Sequence, residues 1–371
     1  MVILKILITD LGSCGVNYQN EYIIEKLENH FEFTNNLQDA NIILMLGSCC
    51  CTEIQLNNTL SYIEYILENK NNNSKTYLTG CITRNFKNIP NLKKIEEYLH
   101  QNIDYVIKHY EPNKLLKQIC KDAFNSLDNS SYGMCNYDES GANLFIQNGC
   151  TNNCTFCKNN YLNCDLIDAP IEKVKKAIDR LNEEKIKKIE LRGLNISQYG
   201  LYSHNEYKLI EICEYIENKS NIESIMLSGF AFNDAIRNDF ANKLKYLEKL
   251  NEINGSLESG SNRILKLMNK GYTKEEFLDF YYKLSSIHPK EFFLNIISGF
   301  PTEKINDCLE TIEVLKAVNP KLVNINTYLD SEYVPSHNLK KLTTSELRTH
   351  TKVYSKILKN NSINYKINGA N

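Results

Sequence analysis

Short apolar runs and amphipathic stretches alternate along almost the whole chain. In the first 124 residues, Val2–Thr9, Ile42–Leu46, Thr76–Thr79 and Tyr105–Ile107 are brief apolar runs of strand length. Between them, stretches such as Glu21–Asn29 and Glu53–Glu68 place apolar residues at helical spacing. Buried strands alternating with helices predict an α/β domain over 1–124, a doubly wound parallel sheet with helices on both faces. Segment 125–141 is rich in Ser, Asn, Asp and Gly and reads as a linker. A second series follows, with strand candidates Asn143–Gln147, Lys188–Leu191, Ser224–Leu227, Glu252–Leu257, Phe292–Ile297 and Leu322–Asn326. Helical patterns such as Ile171–Glu184 and Glu275–Ser285 lie between them. Six strand–helix units over 142–330 predict an open or partial (β/α)6 TIM-like barrel, whose chemistry belongs at the carboxyl ends of its strands. Beyond residue 330 only Thr344–Lys359 keeps a helical period, so 331–371 reads as a short helical extension.

Composition narrows the class without naming it. A chain of 371 residues with 42% apolar content has room for two cored domains. A formal net charge of −2 and a pI near 6.4 give no global electrostatic case for nucleic acid or an anionic membrane surface. No apolar run approaches the length of a membrane span, and Met1–Thr9, broken by Lys5 and followed by Asp10, is no signal peptide. Thirteen cysteines are many, yet the chain is too long for a disulfide-stapled secreted fold. A reducing cytoplasm with metal-ligating thiols is the economical expectation.

Three of those thiols share nine residues, Gly149-Cys150-Thr151-Asn152-Asn153-Cys154-Thr155-Phe156-Cys157. Their C-x3-C-x2-C spacing fits no common four-thiolate zinc pattern. Three thiolates on one loop hold three irons of a 4Fe–4S cube and leave the fourth open for chemistry. The alternative is three buried or zinc-binding cysteines. The loop resembles that of radical S-adenosylmethionine (SAM) enzymes. The N-terminal region carries Cys14, the run Cys49-Cys50-Cys51, and Cys81, each just after a predicted strand. Parallel strands end on one edge, so these thiols converge on a second cluster or remain separate buried hydrophobes; the residues alone leave both open. Cys120, Cys135, Cys164, Cys213 and Cys308 belong to no motif, and the seven histidines form no metal pattern.

A wider resemblance separates those readings. Leu11–Asn17 resembles an L-G-C-x-V-N loop with one residue inserted, and Gly47–Glu53 resembles N-T-C-x-V-T-E, which selects Cys49 over Cys50 and Cys51. Gly80-Cys81 supplies the third cysteine. Glu258–Thr273 follows the signature Q-S-G-S-N-x-x-L-x-x-M-x-R-x-Y-x. Glu190–Asn195 and Ile296–Pro301 resemble I-x-L-x-G-Q-N and I-I-V-G-F-P. In these segments, over roughly residues 1–330, the chain is similar to the radical-SAM methylthiotransferases, which add sulfur and a methyl group at unactivated C–H bonds. Departures are the Lys158–Cys164 segment, Thr327–Tyr333 in place of Y-S-x-R-x-G-T, and no β-rich pattern resembling the family's RNA-binding TRAM domain after the barrel.

The resemblance implies two 4Fe–4S clusters and SAM as cofactors. Cys150, Cys154 and Cys157 would hold the radical-generating cluster, and Cys14, Cys49 and Cys81 an auxiliary one that delivers sulfur. Phe156, Gly193, Asn195, Glu258, Ser259, Ile297 and Gly299 are the expected SAM contacts. An external one-electron donor such as flavodoxin or ferredoxin would be the redox partner, with no membrane involved. The acidic balance, the Thr327–Tyr333 replacement and the TRAM expectation point to a peptide or protein side chain as substrate, such as a ribosomally made precursor. The alternative is a modified adenosine in tRNA, and a third reading is a non-enzymatic iron–sulfur electron carrier.

Overall fold

Strand ends decide where this protein can do chemistry, and the sheets are parallel enough to align them. The structure is a computed structural model that describes residues 4–11, 20, 23–24, 27, 31–48, 50, 53–83, 90–108, 112–123, 135–138, 141–157, 166–201, 206–244, 247–287, 290–332 and 334–368. The chain divides into two units near residue 136.

In the first unit, β1 (Lys5–Asp10), β2 (Glu32–Phe33), β3 (Ile42–Leu46), β4 (Lys75–Leu78) and β5 (Tyr105–Val106) form one parallel sheet in the order β2-β1-β3-β4-β5. All five residues of β3 are buried, because helices cover both faces of a central parallel strand. Ile6, Leu44, Leu46 and Tyr77 pack with Ile107, Leu115 and Ile119 in one core cluster. β2 escaped the sequence pattern because it is two exposed residues at the sheet edge. The strand order is that of flavodoxin-like folds, whose ligand crevice opens between the first and third strands.

The second sheet, which falls in the second unit except for the first two residues of β6, holds β6 (Cys135–Asp138), β7 (Gly141–Asn148), β8 (Ile167–Asp168), β9 (Lys188–Gly193), β10 (Ser224–Phe230), β11 (Leu250–Glu258), β12 (Glu291–Ser298), β13 (Leu322–Thr327) and β14 (Tyr365–Asn368). The sheet path is β14-β13-β12-β11-β10-β9-β7-β6, with β8 antiparallel to β7. From β7 through β14 every pairing along that path is parallel. The α/β class with an open parallel barrel-like sheet is therefore what the periodicity predicted. Two differences come from short or polar elements. Strand β6 lies inside the stretch read as linker. The segment read as a helical extension carries β14 as well as its helix Thr344–Asn360, and β14 pairs in parallel with β13. That helix starts where Thr343 and Glu346 exchange reciprocal capping bonds of 3.2 and 2.7 Å.

Each barrel strand shows two faces. In β12, Phe292, Leu294 and Ile296 are buried, and the Phe292 ring meets Phe232 and Tyr281 on the covering helices. Phe293, Asn295 and Ile297 point the other way and are half-buried. On that second face carboxamides zip neighbouring strands: Asn295 donates to Asn254, Asn324 to Asn295 and Asn368 to Asn326, each at 3.1 Å. No helix among the described residues is long and apolar enough to cross a membrane.

The two faces predict unequal costs. Leu294→Ala should remove about 2–5 kcal/mol of stability, whereas its neighbour Asn295→Ala should cost about 1 kcal/mol, as read by urea unfolding. Equal losses would mean the faces are misassigned.

Candidate functional site

The cysteine loop leaves β7 through Gln147, whose Nε2 donates to the Gly149 carbonyl at 2.6 Å and whose Oε1 accepts from the Asn195 backbone at 2.9 Å. Beyond Gly149 the loop is fastened on three sides. The Thr151 N–H donates to Gln198 Oε1 at 3.1 Å, tying it to the segment after β9. Thr155 donates through its N–H to Met268 O and through its hydroxyl to Leu267 O, at 3.0 and 2.8 Å, tying it to the helix after β11. Asn269 donates to the Asn153 carbonyl at 2.8 Å, and the Ser336 N–H to the Thr155 carbonyl at 3.0 Å. Cys150, Cys154 and Cys157 are partly buried on this loop. Burial pushes the Cys150 thiol up, while the Asn195 amide, 3.3 Å from Sγ, and the Asn152 N–H pull it back. Burial also pushes Cys154 up, opposed first by the Lys270 cation.

The strand ends around this loop carry the other expected residues. Gly193 closes β9, and Asn195 follows it with only 1% of its surface exposed. Its Nδ2 reaches Cys150 Sγ and, at 2.8 Å, Asp234 Oδ2, whereas its Oδ1 is buried without a hydrogen-bond partner. Ser228 Oγ, near the end of β10, is likewise buried and unpartnered. Glu258 ends β11 with a left-handed φ of 64° and pairs with the equally buried Lys270 at 3.8 Å. Burial raises its carboxyl, with Lys270 acting against it. Ser259 is fully buried; its hydroxyl lies 3.3 Å from that of Thr311 and accepts from the Ser261 N–H at 3.1 Å. Those bonds make it an anchor for the strand end.

After β12 the chain turns at Gly299, which sits at φ 78° and so close to the Leu347 side chain that any Cβ there would collide with it. The Gly299 N–H donates to the buried Glu303 at 2.7 Å. Glu303 also binds His350 Nδ1 at 2.9 Å and accepts from the Tyr354 hydroxyl at 3.3 Å, so the turn is strapped to the helix Thr344–Asn360. Cys308 completes that cluster, its thiol raised by burial. The carboxylate oxygens of Glu303 are thus occupied by protein donors, which makes the group a strut. Phe300 meets Phe156 edge-on at 6.4 Å, and Ile297 packs on the same apolar cluster, so Phe156, Ile297 and Gly299 come together.

In the first unit, the loops after β3 and β4 interlock. The Cys81 and Ile82 N–H groups donate to the Gly47 and Ser48 carbonyls, both at 3.1 Å, and Ser48 Oγ donates to Thr79 O at 2.9 Å. Gly80, at φ 129°, lies so near the Gly47 carbonyl that a side chain would strike that oxygen. The Leu11 N–H, at the end of β1, donates to Leu46 O at 2.8 Å. Cys50 and Cys81 are buried. Cys14, Cys49, Cys51 and Cys164 lie outside the described residues. Cys213 and Cys308 are fully buried.

Sequence reasoning passed over Gln147, Gln198, Asp234, Lys270, Glu303 and His350. Lys270 stood within the long matched segment, at the position of its M-x-R basic residue, and was legible there. The others act through hydrogen bonds between distant segments, which no local spacing records.

Residues 144–315 match the radical SAM superfamily. The chain is 27% identical over 330 residues to the tRNA-2-methylthio-N(6)-dimethylallyladenosine synthase of Campylobacter jejuni, covering 85% of this chain and 74% of the relative. The enzymes of the same name from Nitratiruptor sp. and Helicobacter pylori are 27% and 26% identical over 346 and 330 residues. Among solved structures, the radical S-adenosylmethionine methyltransferase TsrM of Kitasatospora setae, with cobalamin and a [4Fe–4S] cluster bound, superposes with a TM-score of 0.58. It is 11% identical over 91% of this chain and 77% of its own. The cobalamin-dependent S-adenosylmethionine radical enzyme OxsB gives 0.55 at 16% identity, over 98% of this chain and 56% of its own. These likenesses establish the shared α/β fold.

The raised thiols set a pH dependence. In iron-free protein, Cys150 and Cys154 should alkylate more slowly than an exposed cysteine at neutral pH. Their rates should go on climbing at pH values where an exposed thiol, with its ordinary value of 9, has levelled off, because both are shifted upward. Pulse alkylation with mass spectrometry reads this, and iron loading should protect both. Labelling at the exposed-thiol rate at pH 7 would contradict the burial argument.

Proposed function

We propose that this chain, which carries a radical SAM domain, is a methylthiotransferase acting at an unactivated C–H bond of a modified adenosine in tRNA. The observation that carries this reading is the extent of the match. The relatives align with 85% of the chain, well beyond residues 144–315, so the likeness includes sequence outside the radical SAM domain. The peptide substrate expected from charge and from Thr327–Tyr333 gives way, because these relatives are named for tRNA. One of the acids in that replacement is also locally neutralised: Asp330 pairs with Lys341 at 2.6 Å and His337 at 3.0 Å. An acid so held offers little free charge to steer a basic partner.

The residues present fit the cofactors. Three cysteines stand on a loop pinned from three sides, with the Asn195 amide and the Asn152 N–H directed at Cys150. A 4Fe–4S cluster held by Cys150, Cys154 and Cys157 would supply the electron that cleaves SAM to a 5′-deoxyadenosyl radical. Two of the buried orphan groups, Asn195 Oδ1 and Ser228 Oγ, lie at the ends of β9 and β10, where SAM would supply polar partners. Asn195 Oδ1 would accept from its amino group. Phe156, Ile297 and the Gly299 turn offer an apolar edge and open backbone to its adenine. Glu258 and Lys270 would hold the charge balance beside Cys154. In the first unit, β1, β3 and β4 are neighbours, so Cys14, Cys49 and Cys81 follow adjacent strand ends, as a second three-thiolate cluster needs. Flavodoxin or ferredoxin would be the electron donor.

Anaerobic reconstitution should give about eight irons per chain, and alanine at Cys14, Cys49 and Cys81 together about four; four in the unaltered protein would remove the second cluster. Incubation with SAM, reductant and tRNA lacking the modification should yield methylthioadenosine nucleosides by mass spectrometry. Binding to that tRNA should weaken steeply with salt. Methylthiolation of a peptide with inert tRNA would reverse the substrate assignment. Failure to cleave SAM would leave only the electron carrier.

A further inference from the structure

We propose that Asp234 is the positioning residue of the cysteine loop, fixing the sense in which the surrounding side-chain amides face Cys150. The inference rests on the cluster reading of Cys150, Cys154 and Cys157 and names a residue that reading leaves unused. Asp234 lies in the short helix after β10, 1% exposed. Its Oδ2 accepts from Asn152 Nδ2 at 2.7 Å, Asn195 Nδ2 at 2.8 Å and Gln198 Nε2 at 3.1 Å. Its other oxygen faces Arg237, 3.6 Å away and two-thirds exposed. An ionised carboxylate only accepts, so each of the three amides must turn its NH2 toward it.

The consequences run outward from that single oxygen. With its NH2 on Asp234, Asn195 places its second hydrogen on Cys150 Sγ and leaves Oδ1 facing away, the orphan acceptor at the end of β9. A flipped Asn195 would press its carbonyl oxygen against a thiolate and present NH2 to the amine it should receive. Gln198, turned the same way, directs Oε1 to the Thr151 N–H and so fixes the backbone next to Cys150. Asn152, likewise oriented, accepts from Asn233 at 3.0 Å. One buried anion therefore fixes the sense of the hydrogen bonds around the loop. A neutral amide in its place would not, since it offers NH2 and C=O at nearly equal cost.

Asp234→Asn preserves shape and removes that rule. In iron-free protein that keeps its fold by circular dichroism, peptide 149–157 should exchange amide hydrogens at least tenfold faster than in the unaltered chain. In reconstituted protein the SAM dissociation constant should rise at least tenfold with iron content retained. Asn195→Leu should reproduce the loss of SAM affinity without the faster exchange, because Asp234 keeps its other two donors. Combining the two should cost no more SAM affinity than either alone, the mark of residues acting as one unit. Unaltered exchange and SAM affinity in Asp234→Asn, or additive losses in the double variant, would overturn the proposal. If Asp234→Asn does not fold, Asn195→Leu decides: unchanged SAM affinity and cluster midpoint potential there overturn it. Failure of the unaltered chain to take up iron at the three cysteines would fell the cluster reading, and the exchange comparison would still judge Asp234.

Discussion

Parallel pairing is the constraint on which this protein depends. When neighbouring strands run the same way, every strand begins on one edge of the sheet and ends on the other. Whatever follows a strand is therefore delivered to a common rim. In the second unit that rim receives the cysteine loop after β7, Asn195 after β9, Ser228 at the end of β10, Glu258 at the end of β11 and the Gly299 turn after β12. These residues span about 150 positions of sequence and need no local motif to meet. The register of the sheet brings them together.

What the sheet assembles, buried polar groups then lock. Asp234 and Glu303 play parallel parts at the rim, each a buried carboxylate accepting from groups on separate segments. Their burial is offset by several donors each, which makes them intolerant of losing any one partner. Side-chain carboxamides are used with similar economy on the half-buried face, where they zip β11 to β12 to β13 and β13 to β14 without introducing charge.

Periodicity made the α/β architecture legible because most strands are apolar runs of ordinary length, and it missed β2, β6, β8 and β14 because those are short or polar. The cysteine loop was legible because its three cysteines are local. Lys270 was legible within a matched segment. Asp234 and Glu303 were not, since an acid inside Phe232–Arg237 or just before Ile305–Val318 is indistinguishable from a solvated helix-end acid until the partners brought by other strands are seen. Ser259 shows the same limit: its place at a strand end was legible, but its bonds to Thr311 and Ser261 were not.

The Glu303 strut ties the turn at Gly299 to a helix some fifty residues further along the chain through His350, Tyr354 and the packing of Leu347. Opening either element breaks the same buried bonds, so turn and helix share one opening free energy and form a single cooperative unit. The helix Thr344–Asn360 lies far in sequence from every cysteine of the loop, yet through the turn it shares in the rigidity of the rim.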